Sequence, residues 1–175
     1  AFKHAKNRIP WLILLMFTST ITGSIISGFE EAISALPVMV SFIPMLMDTG
    51  GNCGSQASVT IIRGLALDEI KIKDIFKVIW KEFSISLMVG TALAVFNFFW
   101  IWFVSGQMIV GAVVAVTLFA VVILAKFIGC CMPILAKAVH LDPALVSSPI
   151  ITTIVDMCAV TIYFTIVTFV MGKYM

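Results

Sequence analysis

Apolar residues in this chain gather into five long stretches, each bounded by charged or turn-forming residues. The stretches run from about Trp11 to Ser27, Ala32 to Ile62, Val78 to Val104, Met108 to Ala138 and Leu145 to Met171. A bilayer core of roughly 30 Å takes about 20 apolar residues in helical form, so each stretch predicts a membrane-spanning helix. The second and fourth are longer than one crossing needs, which predicts tilt or bending. Bends are expected at Pro37, Pro44 and Pro133. The connection from Leu67 to Trp80 mixes Ile70, Ile75, Phe76 and Ile79 with Asp and Lys. It reads as an amphipathic helix lying on the membrane surface. The first stretch follows charged residues and lacks an Ala-x-Ala-like cleavage site, so it reads as a retained span rather than a signal peptide.

Composition strengthens the pattern. Of 175 residues, 61% are hydrophobic and only 11% charged, and mean hydropathy is +1.14. A soluble domain needs about 25% charged residues to cover its surface. The expected fold class is therefore an all-α integral membrane protein with five transmembrane helices. A soluble enzyme and a disordered tail are excluded. So is a nucleic-acid partner, since a net charge of +2 offers no phosphate-binding footprint. The four cysteines are dispersed through apolar segments and do not form a disulfide framework; Cys130 and Cys131, beside Gly129, read as small packing residues.

Orientation follows the basic residues. Lys3, Lys6 and Arg8 precede the first span, Arg63, Lys71, Lys73, Lys77 and Lys81 surround the second connection, and Lys137 lies between the last two spans. With five spans these three places share one side, expected to be cytoplasmic, and only Lys173 lies on the other. The N-terminus is expected inside and the C-terminus outside.

The informative residues are the polar ones within spans. Asp156 lies near the middle of the fifth, where a carboxylate costs at least ~2.5–3.5 kcal/mol on insertion scales. Ser148, Thr152 and Asp156 are spaced four apart and line one helical face. Asp156 either faces an ion path, or pairs with a buried lysine or caps a broken helix. In the second span, Ser34, Pro37, Ser41, Pro44, Asp48, Gly51, Ser55 and Ser58 form a stripe of small and polar residues. Such a stripe lets helices pack closely or lines a hydrated pore. The run Asp48-Thr49-Gly50-Gly51-Asn52-Cys53-Gly54-Ser55-Gln56 suits a helix that opens and presents carbonyl oxygens inside protein.

Carboxylate, hydroxyl, amide and carbonyl ligands favour hard cations such as Mg²⁺ or Ca²⁺. One acid per chain is thin for a dry site, but Mg²⁺ retains water readily, and a symmetric dimer brings two Asp156 carboxylates to one axis. Glu30 and Glu31, between the first two spans, either draw cations to an outer mouth or sit in a solvated turn. Asp142, before Pro143, is an N-cap or a cation contact at the other mouth. Lys126, mid-span in the fourth helix, pairs with Asp48 or another buried acid, or snorkels along the helix.

Gly28-Phe29-Glu30, the run from Pro44 to Gln56, Leu141-Asp142-Pro143-Ala144, Ser148-Pro149 and Thr152-Thr153-Ile154-Val155-Asp156 together resemble the transmembrane domain of the MgtE family of Mg²⁺ channels. Order and spacing match across essentially the whole chain, and the Gly-Gly-Asn-x-Gly-Ser-Gln run is specific. The resemblance implies a five-helix protomer in a homodimer, with a pore at the protomer interface lined by the second and fifth helices. It implies Asp156 as the central ligand of a largely hydrated Mg²⁺, Asn52, Ser148 and Thr152 around it, and Asp142 and Glu30 as cation contacts near the two mouths. Asp48 joins the set from the stripe. A bacterial inner membrane is the implied location.

Family members usually also carry a cytoplasmic N-terminal domain and CBS domains that close the pore when Mg²⁺ binds. Here residues 1–10 form a tail, readable as the end of the connecting helix, and 11–175 form the ion-conducting domain. A trimmed chain and a naturally short homologue fit equally, and in either case the usual Mg²⁺-sensing gate is expected to be missing. The leading expectation is Mg²⁺ conduction driven by membrane potential. The alternative is a secondary transporter coupling a divalent cation to Na⁺ or H⁺. An intramembrane enzyme is disfavoured, because the spans carry no paired aspartates in a Gly-x-Gly-Asp setting, no His-Glu-x-x-His and no Ser/His pair.

Overall fold

Proline and glycine, more than charge, set where the helices begin and end. The computed structural model describes residues 2–30, 34 and 37–171, apart from the side chains of 2–5, 7, 8, 11, 72, 144–148 and 171. Within these, all regular structure is helical: α1 Phe2–Ser27, α2 Ile43–Ala66, α3 Ile75–Ser105, α4 Met108–Ala138 and α5 Pro143–Met171. Short 3₁₀ helices cover Pro37–Phe42 and Ile72–Asp74. Pro44 lies in the first turn of α2, where a missing N–H forfeits no helical bond. Gly106 closes α3 with a φ of +68° and donates to Trp102 O, the left-handed cap that glycine adopts without steric cost.

Among the described residues three helices are long and apolar enough to cross a membrane by length and composition alone: α3, α4 and Pro149–Val170 within α5. Leu12–Ser27 in α1 is a shorter apolar segment. α4 is the central element, packing against α2, α3 and α5, while α1 rests mainly on α5. The α1 contact includes Phe29 stacked on Phe164 at 5.1 Å.

Contacts fix which helix ends lie together. Lys137 Nζ donates to Leu65 O at 3.0 Å, so the C-terminal ends of α2 and α4 meet. Tyr163 OH donates to Met39 O at 2.8 Å, bringing the far part of α5 to the segment before α2. The α1 C-terminus, held by Phe29 on Phe164, shares that second end. Arg63 and Lys137 lie at the first of these ends, with Lys71–Lys81 on the connection leaving it.

Three sequence expectations change. No surface helix spans 67–80. Ile70 packs onto Gly64, and Ile75, Val78 and Ile79 pack onto a cluster of Ile61, Leu65, Cys130 and Ile134. Ile70, Ile75, Val78 and Ile79 thus turn into the bundle, while Phe76 and Trp80 stay exposed, and Ile75–Trp80 are the first turns of α3. The second span does not run as one bent helix; the chain changes from the 3₁₀ helix to α2 at Ile43, with Pro44 starting the new helix. Pro133 lies buried within an unbroken α4.

The third change concerns the glycine-rich run, which stays α-helical rather than opening. Its glycines face inward. A Cβ on Gly50 would meet Val121 and Val155 within 2.8 Å, and one on Gly129 would collide with the carbonyl of Gly54. Main chain therefore packs on main chain where α2 crosses α4. Lipid tails are as apolar as leucine, so helices in a bilayer gain little from hydrophobic burial and rely on such close packing. Of the two explanations for small residues in this run, packing accounts for the glycines.

Candidate functional site

Turning the glycines inward leaves the other face of α2 polar. Asp48, Asn52 and Gln56, spaced four apart, are all exposed, while Gly50, Cys53, Gly54, Ala57 and Ser58 are buried. On α5 the same period brings Thr152 and Asp156 together, both half-buried. The two faces meet in an open groove of about 460 Å³ lined by Pro44, Met47, Asp48, Gly51, Asn52, Thr152 and Asp156. Three further hollows, along α3 and α4, are almost wholly apolar in lining.

Two local contacts set the groove's polar groups. Asn52 Nδ2 donates to Asp48 Oδ2 at 3.1 Å, holding the carboxylate one turn back along α2. Thr152 Oγ1 donates to Pro149 O at 3.0 Å, as Thr153 does, which keeps these hydroxyls on their own helix. Gly51 lies beside Thr152, and an added Cβ there would sit in ordinary contact with Thr152 Cγ2 at 3.4 Å. Asp156 makes no ion pair or hydrogen bond among the described residues. It stands mid-helix, at the level of the Gly50–Val121–Val155 contact, so its carboxylate is far from either end of the bundle. Among the described residues no three His, Cys, Asp or Glu side chains gather into a metal cage.

Four of the expected site residues, Asp48, Asn52, Thr152 and Asp156, are therefore brought together. The Ser148 side chain and Glu31 lie outside the described residues. Glu30, exposed beyond the C-terminus of α1, and Asp142, exposed before the first residue of α5, stand at opposite ends of the bundle and do not line the groove. The expected stripe along the second span divides. Pro44, Asp48 and Gly51 line the groove, Ser41 donates to Val38 O within the 3₁₀ helix, and Ser58 is buried. Met47 is a lining residue that the sequence reading missed, although it falls three residues from Pro44 and four from Gly51 on the same face. Lys126 pairs neither with Asp48 nor with solvent; its Nζ lies 3.6 Å from Glu82 Oε2, with both side chains under 10% exposed. Glu82 was also missed.

Comparison with known proteins places these residues in a family context. The MgtE family model, described as a divalent cation transporter, matches residues 43–166, which span both walls of the groove. The magnesium transporter MgtE of Bacillus subtilis is 38% identical over 172 residues, 96% of this chain and 37% of that protein. The magnesium transporter MgtE of Thermus thermophilus is 34% identical over 162 residues, 91% of this chain and 35% of that protein. That of Enterococcus faecalis is 32% identical over 174 residues, 98% and 38% respectively. The chain thus spans a little over a third of the length of these relatives.

Proposed function

Because the chain belongs to the MgtE family of divalent cation transporters, we propose that it carries Mg²⁺ across the membrane through a pore formed between two copies, with a largely hydrated ion held by Asp156 of each. The observation that carries this reading is the convergence of Asp48, Asn52, Thr152 and Asp156 on one open groove in a bundle that exposes many large apolar side chains. A single carboxylate facing acyl chains costs ~2.5–3.5 kcal/mol or more. A second copy facing the groove across a two-fold axis removes that exposure and turns two half-channels into one path.

The ligand set suits the ion. Mg²⁺ dehydrates reluctantly and is commonly held through one or two carboxylates with several waters kept. Two Asp156 carboxylates about a hydrated ion supply that charge. The bond from Asn52 leaves its own carbonyl oxygen and the second Asp48 oxygen free to accept from the ion's waters. Thr152 and Ser148 extend the face one and two turns below Asp156, and Asp142 and Glu30 draw cations toward the two ends. All five helices cross the bilayer in this reading. The basic end is cytoplasmic by the positive-inside rule, so the N-terminus is inside and the C-terminus outside a bacterial inner membrane. The role is transport rather than catalysis.

The test is Mg²⁺ uptake into proteoliposomes under a K⁺-set membrane potential with no Na⁺ or H⁺ gradient. The protein is expected to conduct, and Asp156→Asn, which keeps the shape and removes the charge, to fall to the level of protein-free vesicles. Equal flux through both would move the ion site elsewhere, with Asp48 next in line. Uptake that appears only when a Na⁺ or H⁺ gradient is imposed would replace the channel by a coupled carrier.

A further inference from the structure

The first two turns of α2 supply Pro44, Met47 and Asp48 to the groove. The residue at its N-cap, Phe42, makes no side-chain bond that would fix the start of the helix. Two other helices hold it. Tyr163 of α5 donates to Met39, in the 3₁₀ helix just before α2. Asn97 of α3 donates through Nδ2 to Met45 Sδ at 3.0 Å, inside the first turn itself. Met45 thus reaches toward α3, while its neighbours Pro44 and Met47 line the groove.

Stability alone does not account for an asparagine at this position. Asn97 is 7% exposed, and the thioether it donates to is a weak acceptor. Its Oδ1 is buried and meets no partner among the described residues, so an oxygen loses its water with no bond in return. A leucine would occupy the same buried face of α3 without that cost. What the amide adds is a connection. α4 packs against both α2 and α3, and Asn97 to Met45 is the one side-chain hydrogen bond that joins α2 to α3 among the described residues.

We infer that Asn97 is a positioning residue for the ion path: its bond to Met45 sets the rotation of the first turns of α2, and so where Pro44, Met47 and Asp48 stand in the groove. The inference rests on the reading of the groove as the route of Mg²⁺. Asn97 does not line that groove and acts on it only through Met45.

The test compares the parent with N97L, M45L and N97L/M45L in Mg²⁺ uptake and in detergent melting temperature. N97L removes the orphan oxygen together with the bond, so it is expected to melt at or above the parent. Its uptake per folded molecule is expected to fall about fivefold, the equivalent of the ~1 kcal/mol that one hydrogen bond between membrane helices contributes. M45L breaks the same bond from the other side and is expected to lose as much flux. The double variant is expected to lose no more than either single one. Native flux in N97L, a flux loss that only follows a lowered melting temperature, or losses that multiply in the double variant would each overturn the assignment.

The position of the turn can also be read without transport. M47C and Q56C, on the first and last parts of the same helix face, are labelled with a charged methanethiosulfonate, and the parent's own four cysteines serve as the blank. Adding N97L is expected to change the labelling rate at M47C severalfold and to leave Q56C as it was. An unchanged rate at M47C, or equal changes at both sites, overturns the positioning role. If the parent protein fails to conduct, the pore reading falls, and the labelling rates alone decide whether Asn97 sets the turn.

Discussion

Asp156 and Glu82 are both carboxylates within the helical bundle, but their surroundings give them opposite work. Asp156 opens onto a groove shared with Asp48 and Asn52 and has no cation beside it among the described residues. Glu82 is sealed between α3 and α4 against Lys126 at 3.6 Å. A paired charge satisfies itself and offers little to a passing ion. An unpaired charge stays available for something that arrives and leaves. Substitutions in the sealed seam should therefore change stability and spare flux, and substitutions in the open groove should do the reverse.

The sharpest way to break that contrast is Lys126→Met. It strands Glu82 as a lone buried acid, and removing one member of a buried pair costs about 3–5 kcal/mol. The expected result is a large drop in detergent melting temperature. Replacing both partners, as E82Q/K126M, should restore most of it, because a matched neutral pair leaves no uncompensated charge. Mg²⁺ flux per folded molecule should stay near native in the double variant. If the single and double variants melt alike, the pair is not sealed and the contrast fails.

Next in size is Gly54→Val. Its Cβ would lie 2.7 Å from Ile151 Cγ2 and 3.1 Å from Ala125 O, and overpacking of this kind costs about 1–3 kcal/mol. Gly23 in α1 is the control, with nothing within 4 Å of an added Cβ; Gly23→Ala should be neutral or slightly stabilising. Equal melting of the two variants would show that the inward glycines are not a packing face.

This contrast also explains what could be read from residues alone. Five apolar stretches and the polar period Asp48–Asn52 and Thr152–Asp156 were visible because spacing along a helix survives without knowledge of its neighbours. The role of the glycines was not visible. Gly50 and Gly54 look the same whether a helix opens or packs, and only the positions of Val121, Ala125 and Ile151 decide between them. Glu82 escaped notice because it follows Lys81 near a span end and reads as part of a solvated charge run. Its signal was the stripe Glu82, Ser86 and Gly90, continued by Asn97 and Ile101, the buried face of α3. The connection before α3 is ambiguous for a similar reason: Ile70, Ile75 and Ile79 fit a lipid surface as well as they fit the Ile61–Ile134 cluster.

A smaller effect is expected at Tyr163, fully buried with its hydroxyl donating to Met39 O at 2.8 Å. Tyr163→Phe leaves that carbonyl without this donor and should cost about 1 kcal/mol. Since the bond joins α5 to the segment leading into α2, it belongs with the sealed contacts. Melting temperature should fall and Mg²⁺ flux should hold. Loss of flux at unchanged stability would instead place the 3₁₀ segment in the ion path.

The smallest stability change and the finest test of the groove is Asn52→Ala. Asn52 is exposed and contributes one side-chain bond, to Asp48 Oδ2 at 3.1 Å, so melting should move by no more than about 0.5 kcal/mol. Flux should still drop severalfold, because Asp48 loses the donor that holds it toward Asn52 and the groove loses an amide oxygen. Asn52→Asp separates the two contributions. It supplies an oxygen but no donor and adds a second charge beside Asp48, so Asp48 is repelled while cation attraction rises. Recovery of flux in Asn52→Asp would assign the role to the oxygen and the charge. Persistent loss would assign it to the orientation of Asp48. Native flux in Asn52→Ala would remove Asn52 from the groove's working set and leave the contrast resting on Asp48 and Asp156 alone.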